Sequence, residues 1–264
     1  MTKSYDFSSL SEELRIELKK SIDNSLEADG VAILPPMDVM DSYRLMKLLG
    51  YKFKVSMLDP WYNKGVGGVR DDYEDFINRI LREAAETSEH VYLWGFPEII
   101  ALFIKSIPEP LKYNTWLTWY YKNNPSVIRG WRSAQQACLH LSIPNSKIYL
   151  EPFLNEKQLQ KKAEGKLRYI PGPTSVIEVP LNIGFIGRKE QTGHPAQKPV
   201  KVYEPLIKLT ASTDELVFDP MAGSGTTGEV TRDIGAKAIL CDCSNDFTYL
   251  IEKRLKASRI NFEL

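Results

Sequence analysis

The feature that most constrains the fold is a glycine loop near the C-terminus, Asp219-Pro-Met-Ala-Gly-Ser-Gly-Thr-Thr-Gly228. The apolar run Leu216-Val-Phe218 before it predicts a strand, and residues 228–234 after it predict a helix that Gly235 ends. A glycine loop at the carboxyl end of a strand lets a small anionic or polar cofactor approach backbone amides. We therefore expect a nucleotide-like ligand site on an α/β sheet.

The rest of the chain repeats this alternation of helix and short apolar strand. Strands are predicted at residues 31–34, 53–58, 91–94, 111–121, 138–143, 216–218 and 237–241, and helices at 41–49, 73–85, 200–209, 228–234 and 246–256. A capping box at Ser9 and Glu12 predicts the start of an N-terminal helix, and Pro205 is expected to kink or restart the helix that contains it. The pattern predicts a parallel, doubly wound α/β sheet, with residues 145–180 as a polar insertion off it.

Composition narrows the setting. A chain of 264 residues holds one large α/β domain or two small ones, and its net charge of zero gives no bulk attraction for a polyanion. Three cysteines are too few for a disulfide framework, the N-terminus lacks an apolar signal core, and no apolar run could span a bilayer. We expect a cytoplasmic protein without a membrane segment or a metal site. Residues 111–150 nevertheless carry five basic residues and no acidic one, among several aromatic residues.

Three ligands compete for the glycine loop. A phosphate-binding loop needs a lysine where Glu229 stands, so that alternative fails. Gly223, Gly225 and Gly228 also spell the dinucleotide pattern, and Asp242 stands at the end of the next predicted strand, where it could accept from ribose hydroxyls. The chain after Asp242 is too short to complete the usual dinucleotide-binding half, and the acidic start of the loop disfavours a pyrophosphate. S-adenosylmethionine, which carries a sulfonium and an ammonium, tolerates that acidic start better.

A second cluster, Asp59-Pro-Trp-Tyr62, lies far upstream at the end of a predicted strand. It could be a turn with aromatic side chains in the core, but its chemistry also suits an aromatic amine. The exocyclic amine of adenine or cytosine is a poor nucleophile because its lone pair is delocalised into the ring. The Asp59 carboxylate and the Pro60 carbonyl, accepting its two hydrogens, would turn that lone pair toward a methyl donor. Tyr62 could stack on the base, a contact worth ~1–3 kcal/mol.

These clusters resemble the motifs of the DNA amino-methyltransferases that modify adenine N6 or cytosine N4. The family carries Asp/Asn/Ser-Pro-Pro-Tyr/Phe/Trp for the base amine and Asp-Pro-Phe-x-Gly-Ser-Gly-Thr for the methyl donor. A third motif, His194-Pro-Ala-Gln-Lys-Pro199, is similar to the family's His-Pro-Thr-Gln-Lys-Pro. The resemblance covers about residues 53–257, and its motif order resembles that of the beta group.

The resemblance implies a Rossmann-like methyltransferase sheet with permuted motif order, S-adenosylmethionine as cofactor and DNA as partner, in a restriction–modification setting. One catalytic domain would cover residues 1–264, with a DNA-recognition segment at 145–180 and the cofactor-binding half at 181–264. The implied site residues are Asp59, Pro60, Trp61 and Tyr62 for catalysis; Asp219, Pro220, Ala222, Gly223, Ser224, Gly225, Thr226, Asp242, Gln197 and Lys198 for the cofactor; and Trp131, Arg129, Arg132 and Lys122 for nucleic acid.

Two departures from the family pattern bear on function. Trp61 replaces the second proline of the base motif, and the short recognition segment suggests a small target sequence, a homodimer or a companion subunit. Asp59 at the start of that motif resembles the adenine-N6 enzymes more than the cytosine-N4 enzymes, so adenine in a flipped-out base is the expected substrate. Methylation of cytosine or RNA, and a catalytically degenerate nucleic-acid-binding subunit, are the alternatives.

Overall fold

The computed structural model describes residues 7, 10–63, 68–125, 127–128 and 130–261, with backbone only for 127 and 128. Within these ranges the chain forms α-helices on both faces of a large sheet. The elements are α1 (Glu12–Asp29), β1 (Val31–Ile33), α2 (Val39–Leu48), β2 (Phe53–Leu58), α3 (Tyr73–Thr87), β3 (Ser88–Gly95), α4 (Pro97–Phe103), β4 (Lys112–Tyr120), β5 (Val127–Ile128), β6 (Trp131–Arg132), β7 (Gln135–Ser142), a 3-10 turn (Glu151–Phe153), α5 (Glu156–Ala163), β8 (Val176–Glu178), α6 (Val200–Thr210), β9 (Leu216–Asp219), α7 (Thr226–Asp233), β10 (Lys237–Leu240) and α8 (Asn245–Leu255).

The main sheet has eight strands in the order β1-β10-β9-β2-β3-β7-β4-β8. The first five are mutually parallel, β7 runs antiparallel to both β3 and β4, and β8 is parallel to β4. The predicted α/β sheet is therefore confirmed, but it is mixed: the sequence did not reveal that β7 is reversed. Strands β5 and β6 form a separate small hairpin.

Each strand sends alternate side chains to opposite faces, and two apolar cores result. In β9, Phe218 packs into the core beneath α1 to α4, whereas Val217 packs into the core beneath α6, α7 and α8. In β10, Ile239 and Leu240 divide in the same way. Because helices cover both faces, the central parallel strands bury apolar side chains on both of their faces. No helix in the described ranges is both long and apolar enough to cross a membrane.

Three local expectations are corrected. The cap of α1 is Ser11, whose hydroxyl accepts from the Leu14 amide, and not the box that begins at Ser9, which lies outside the described residues. Helix α6 continues through Pro205, its sixth residue, and does not restart there. The segment 145–180 is not wholly off the sheet, since β8 pairs with β4 at the sheet edge.

Candidate active site

The two motifs, although far apart in sequence, follow neighbouring strands. β2 pairs in parallel with β9, with Val55 opposite Val217 and Ser56 opposite Phe218. Because these two strands are parallel neighbours, both end at the same edge of the sheet, and the segments after β2 and β9 meet there. They open onto one cavity of about 500 Å3. Its lining includes Asp59, Pro60, Trp61 and Tyr62 with Pro220, Met221, Ala222, Gly223, Ser224, Thr226 and Asp242, and also His194, Pro195, Ala196 and Lys198.

The Asp59 carboxylate has three side-chain hydrogen-bond partners. Its Oδ2 accepts a hydrogen bond from the Lys198 ammonium, in a salt bridge, and a longer one of 3.4 Å from the Tyr203 hydroxyl. Its Oδ1 has only a 3.3 Å contact with the Tyr62 hydroxyl. The carboxylate is thus fixed through one oxygen, and the other is less committed.

Lys198 was expected to border the cofactor, and its ammonium also contacts the base motif. It lines the cavity, yet its side chain is only 3% exposed and its ammonium also donates to the Tyr62 hydroxyl at 2.8 Å. The ammonium lies 5.5 Å from the ring centroids of Tyr62 and Trp94, within cation–π range. A buried ammonium is costly without a counter-ion, so Asp59 and Lys198 stabilise one another in place.

Tyr62, the last residue of the base motif, connects that motif to β7. Its hydroxyl donates to Gln136 Oε1 at 2.9 Å, and its ring packs against Phe96 with centroids 4.6 Å apart. Burial, and then the nearby Asp59 carboxylate, raise the pKa of the Tyr62 phenol well above its ordinary value. Tyr62 therefore stays protonated and acts as a hydrogen-bond donor and a ring surface.

Trp61 stands where the family pattern has its second proline. Its indole packs edge-on against Tyr73 and near Phe76, at centroid distances of 5.4 and 5.8 Å. Its backbone carbonyl accepts the Tyr73 hydroxyl at 2.7 Å. These contacts with α3 hold Trp61 in place, and its indole is part of the cavity wall.

The glycine loop needs its glycines at specific points. Gly223 and Gly225 have φ of 49° and 77°, which glycine adopts most readily. A Cβ at Gly223 would come within 3.0 Å of His194 Nε2. The Gly223 amide donates to Asp242 Oδ2 at 3.0 Å, and the Ser244 amide donates to Asp242 Oδ1 at 2.9 Å. Asp242 thus lines the cavity while it also shapes the loop, and burial raises its pKa.

Asp219, expected among the cofactor residues, lies under the loop instead. It is 3% exposed, accepts from the Met221 amide at 3.1 Å and from the Thr227 hydroxyl, and is not part of the cavity lining. Burial raises the pKa of Asp219 to about 7. Gly225 is also set back, at the cap of α7, where a Cβ would meet Ile251 at 3.2 Å. Both residues shape the loop from behind.

Arg254 of α8 fastens the far end of the loop. Its guanidinium donates to the Ser224 carbonyl at 3.1 Å and the Thr226 hydroxyl at 2.9 Å, and it pairs with Glu229 at 2.6 Å. The Thr226 hydroxyl in turn donates to the Lys198 carbonyl at 2.8 Å. The glycine loop and the residues around Lys198 are therefore held as one unit, a role for Arg254 that no local motif indicated.

Gln197 does not reach the cavity. Its amide oxygen accepts from both the amide and the hydroxyl of Thr192, each at 2.9 Å, and its nitrogen donates to the Glu190 carbonyl at 2.8 Å. It braces the turn that carries His194, and it is absent from the residues that line the cavity. Its neighbour in sequence, Lys198, points the other way, into the site.

The expected nucleic-acid residues lie on or beside the β5–β6 hairpin. Trp131 is 82% exposed, and Arg129 lies outside the described residues. The Arg132 guanidinium donates to the carbonyls of Lys122 and Asn124, at 2.8 and 3.1 Å for Nη2, and so closes the base of the hairpin. The Lys122 ammonium pairs with Glu178 at 2.5 Å. Trp131 is not among the residues that line the cavity.

Several cavity-lining residues were not predicted from the sequence, among them His194, Phe247, Phe76 and Asp38. His194 lines the cavity, and its ring packs against Phe247 at a centroid distance of 4.2 Å. Phe76 and Asp38 line it from α3 and the start of α2. No local pattern identifies them, because each reaches the cavity only through the packing of its helix.

Comparison with known proteins gives consistent matches. A family model described as DNA methylase matches residues 53–253. The Type II methyltransferase M.HpaI of Haemophilus parainfluenzae is 25% identical over 219 residues, which cover 78% of this chain and 68% of M.HpaI. The M1.HpyAVI structure in complex with SAM superposes with a TM-score of 0.66 at 16% identity, covering 85% of this chain and 98% of that one. PvuII DNA methyltransferase, described as cytosine-N4-specific, gives a TM-score of 0.57 at 16% identity, covering 88% and 90%.

Proposed function

This chain belongs to the DNA methylase family that modifies adenine N6 or cytosine N4, and on that premise we propose that it methylates adenine N6 in DNA from S-adenosylmethionine. The observation that carries the proposal is the single cavity shared by Asp59 and the glycine loop. The fold does not distinguish the two bases, since the PvuII enzyme, described as cytosine-N4-specific, has a similar fold. Adenine is favoured because the base motif begins with aspartate.

The cavity suits a cationic cofactor. Its volume of about 500 Å3 lies within the ~300–1,000 Å3 typical of small-molecule sites. Asp38, Asp59 and Asp242 line it, and Lys198, which is paired with Asp59, is the one Lys or Arg among the described lining residues. Because Lys198 neutralises Asp59, the excess carboxylates are Asp38 and Asp242, which attract a sulfonium and an ammonium and disfavour the pyrophosphate of a dinucleotide.

Individual residues follow from this arrangement. The amides and backbone of the glycine loop would hold the amino-acid part of the cofactor, and Asp242 would accept from its ribose hydroxyls. The aromatic faces of His194 and Phe247 would cover it from the other side. When bound, S-adenosylmethionine supplies a methyl group on a positively charged sulfur that is already a good leaving group.

Asp59 performs the central task on the substrate side. Lys198 and Tyr203 hold its Oδ2, so Oδ1 is available to accept one hydrogen of the target amine. The Pro60 carbonyl accepts the other hydrogen, which turns the nitrogen lone pair toward the methyl donor. As the carbon–nitrogen bond forms, the amine nitrogen must lose a proton, and Oδ1 is placed to take it. The rate gain comes mainly from positioning.

The base must leave the duplex to reach these groups, at a cost of a few kcal/mol. Tyr62 offers a ring for stacking, with its own orientation fixed by Gln136 and Phe96. The segment 145–180, with its lysine-rich helix α5, remains our candidate for reading the flanking sequence. Because this segment is short, we also propose that a homodimer or a companion subunit contributes to DNA recognition.

The test is a search for modified bases in DNA. Genomic DNA from cells that express the chain, in a host without adenine methylation, is digested to nucleosides and analysed by mass spectrometry. We expect N6-methyladenine, its loss with Asp59→Ala, and its retention with Asp214→Ala, a control whose side chain is 75% exposed. N4-methylcytosine instead would reassign the base.

A second measurement separates an inactive subunit from an enzyme of another substrate. The purified chain is titrated with S-adenosylmethionine by calorimetry and incubated with labelled cofactor and either duplex DNA or RNA. Cofactor binding with label transfer to RNA alone would refute the DNA proposal. Absence of both binding and transfer would favour the degenerate-subunit alternative.

A further inference from the structure

A short loop at residues 181–191, between β8 and the turn that carries His194, exposes three apolar side chains. Phe185 is 89% exposed, Ile183 42% and Ile186 41%. Isolated exposed apolar residues are common, but three in one short loop form a patch of the kind that marks an interaction site. Neither the cofactor site nor the base pocket gives this loop a role.

The loop presents these side chains from a hydrogen-bonded frame. The Gln191 side chain crosses the loop and donates to the carbonyls of Gly184 at 3.2 Å and Ile186 at 2.8 Å. The Gln191 amide also donates to the Gly187 carbonyl at 3.1 Å. Because the loop is closed by its own side chain, Phe185 is held outward by the backbone around it.

Both ends of the loop connect to parts of the site. At its start, the Asn123 side chain donates to the Leu181 carbonyl at 2.9 Å and accepts from the Leu181 amide at 2.8 Å. Asn123 lies at the base of the hairpin that exposes Trp131. At its end, Gln197 holds Glu190, one turn before the cavity-lining His194. The loop therefore stands between the exposed hairpin and the cavity wall.

The outward charge of the loop is positive. Arg188 and Lys189 are exposed, and in the described part of the chain neither forms an ion pair. The neighbouring Glu190 carboxylate is turned inward, where it accepts from the Val200 amide at 2.6 Å and lies 3.5 Å from Arg254. An apolar tip flanked by two free cations suits a partner with both stacked rings and phosphates.

We propose that this loop enters the DNA duplex beside the target base, with Phe185 taking up stacking that the flipped base gives up and Arg188 and Lys189 contacting phosphates. The inference rests on the proposed function. Apolar side chains inserted at a base step offset the cost of unstacking, which otherwise opposes flipping. A second copy of the chain is the competing occupant, but Arg188 and Lys189, which have no ion pair among the described residues, favour a polyanion over an identical surface.

The test compares Phe185→Ala with the unaltered protein on three oligonucleotide substrates, in which the target base differs in stacking and pairing. The oligonucleotides carry the sequence context found by mapping modified bases, with the target base fully paired, opposite an abasic position, or in a single strand. We expect Phe185→Ala to lower kcat/KM on the paired duplex roughly 10-fold or more, and much less on the other two, where less unstacking is needed. Fluorescence of 2-aminopurine at the target position should report the same loss of flipping.

The controls separate this inference from the proposed function. Tyr113→Ala removes another aromatic side chain, which is 50% exposed and lies near the start of β4, whereas the hairpin follows the end of that strand. This variant should keep the kcat/KM of the unaltered protein on all three substrates. If Phe185→Ala lost activity equally on all three substrates, or lost none, the insertion of Phe185 into the duplex would be refuted. Methylation by the unaltered protein in the same assay would still support the proposed function. A change in sedimentation with Phe185→Ala and unchanged kinetics would assign the loop to a second copy instead.

Discussion

The raised pKa of Asp219 makes a quantitative prediction about stability. In the unfolded chain this carboxyl has its ordinary pKa of 3.8, and in the folded chain burial raises it to about 7. The folded state therefore retains a proton that the unfolded state has lost. The stabilising contribution of the protonated group is fully present below pH 3.8 and is lost as the pH rises through 7. At 1.36 kcal/mol for each pH unit, the difference between 7 and 3.8 amounts to about 4 kcal/mol.

Asp219→Asn removes this titration and keeps the shape of the side chain. The amide oxygen can still accept from the Met221 amide, and the Thr227 hydroxyl can rotate to accept from the amide nitrogen. Relative to the variant, the unaltered protein should lose about 4 kcal/mol of unfolding free energy between pH 4 and pH 8. That change is a large part of the roughly 5–15 kcal/mol typical of a folded domain.

The assay is urea unfolding followed by tryptophan fluorescence at several pH values from 4 to 8, with and without the substitution. The difference between the two proteins isolates Asp219, since every other titrating group is common to both. Between pH 4 and pH 8, the difference in urea midpoint between the unaltered protein and Asp219→Asn should change by more than about 1 M. Asp214→Asn, at a mostly exposed position, is the matched control. A difference that stays constant from pH 4 to pH 8 would refute the raised pKa of Asp219 and the burial argument behind it.

Three further outcomes are expected. Asp59→Ala should abolish methyl transfer and change the calorimetric Kd for S-adenosylmethionine less than about 3-fold, because Asp59 acts on the substrate amine; a parallel fall in cofactor affinity would contradict that division. Lys198→Met should lower kcat roughly 10- to 100-fold, the worth of a hydrogen bond to a charged group, and kcat unchanged in steady-state assays would show that Asp59 needs no support. Burial lowers the pKa of His140, which is hydrogen-bonded to His90, to about 3. Its stabilisation is present above pH 6.5 and is lost as the pH falls, so urea unfolding should show about 2 kcal/mol lost between pH 7 and pH 5 that His140→Phe does not lose.

The sequence predicted the elements around the site well. β2 has the bounds that its apolar run predicted, and β9, α7 and β10 differ from their predicted bounds only at the ends. These segments are short, apolar or amphipathic, and bounded by glycine or proline, so local patterns suffice to identify them. A strand was predicted where β7 lies, but its reversed direction was not, since the residue pattern of a strand does not encode its direction.

The sequence could not give the direction of individual side chains. Gln197 and Lys198 are neighbours in one motif, yet one braces a turn and the other pairs with Asp59 in the cavity. Asp219 begins the glycine loop but lies beneath it. A motif fixes which residues are near a site, while the turn and the packing around it decide which of them face the ligand.

By itself the sequence determined the chemistry on offer: a carboxylate before a turn that suits an amine, and a glycine loop after a strand that suits a polar cofactor. Only the tertiary structure placed them together, because the pairing of β2 with β9 is a contact between distant segments of the chain and no local pattern encodes which strands become neighbours. The same long-range packing brought the Lys198 ammonium to Asp59, so the geometry of the site belongs to the fold.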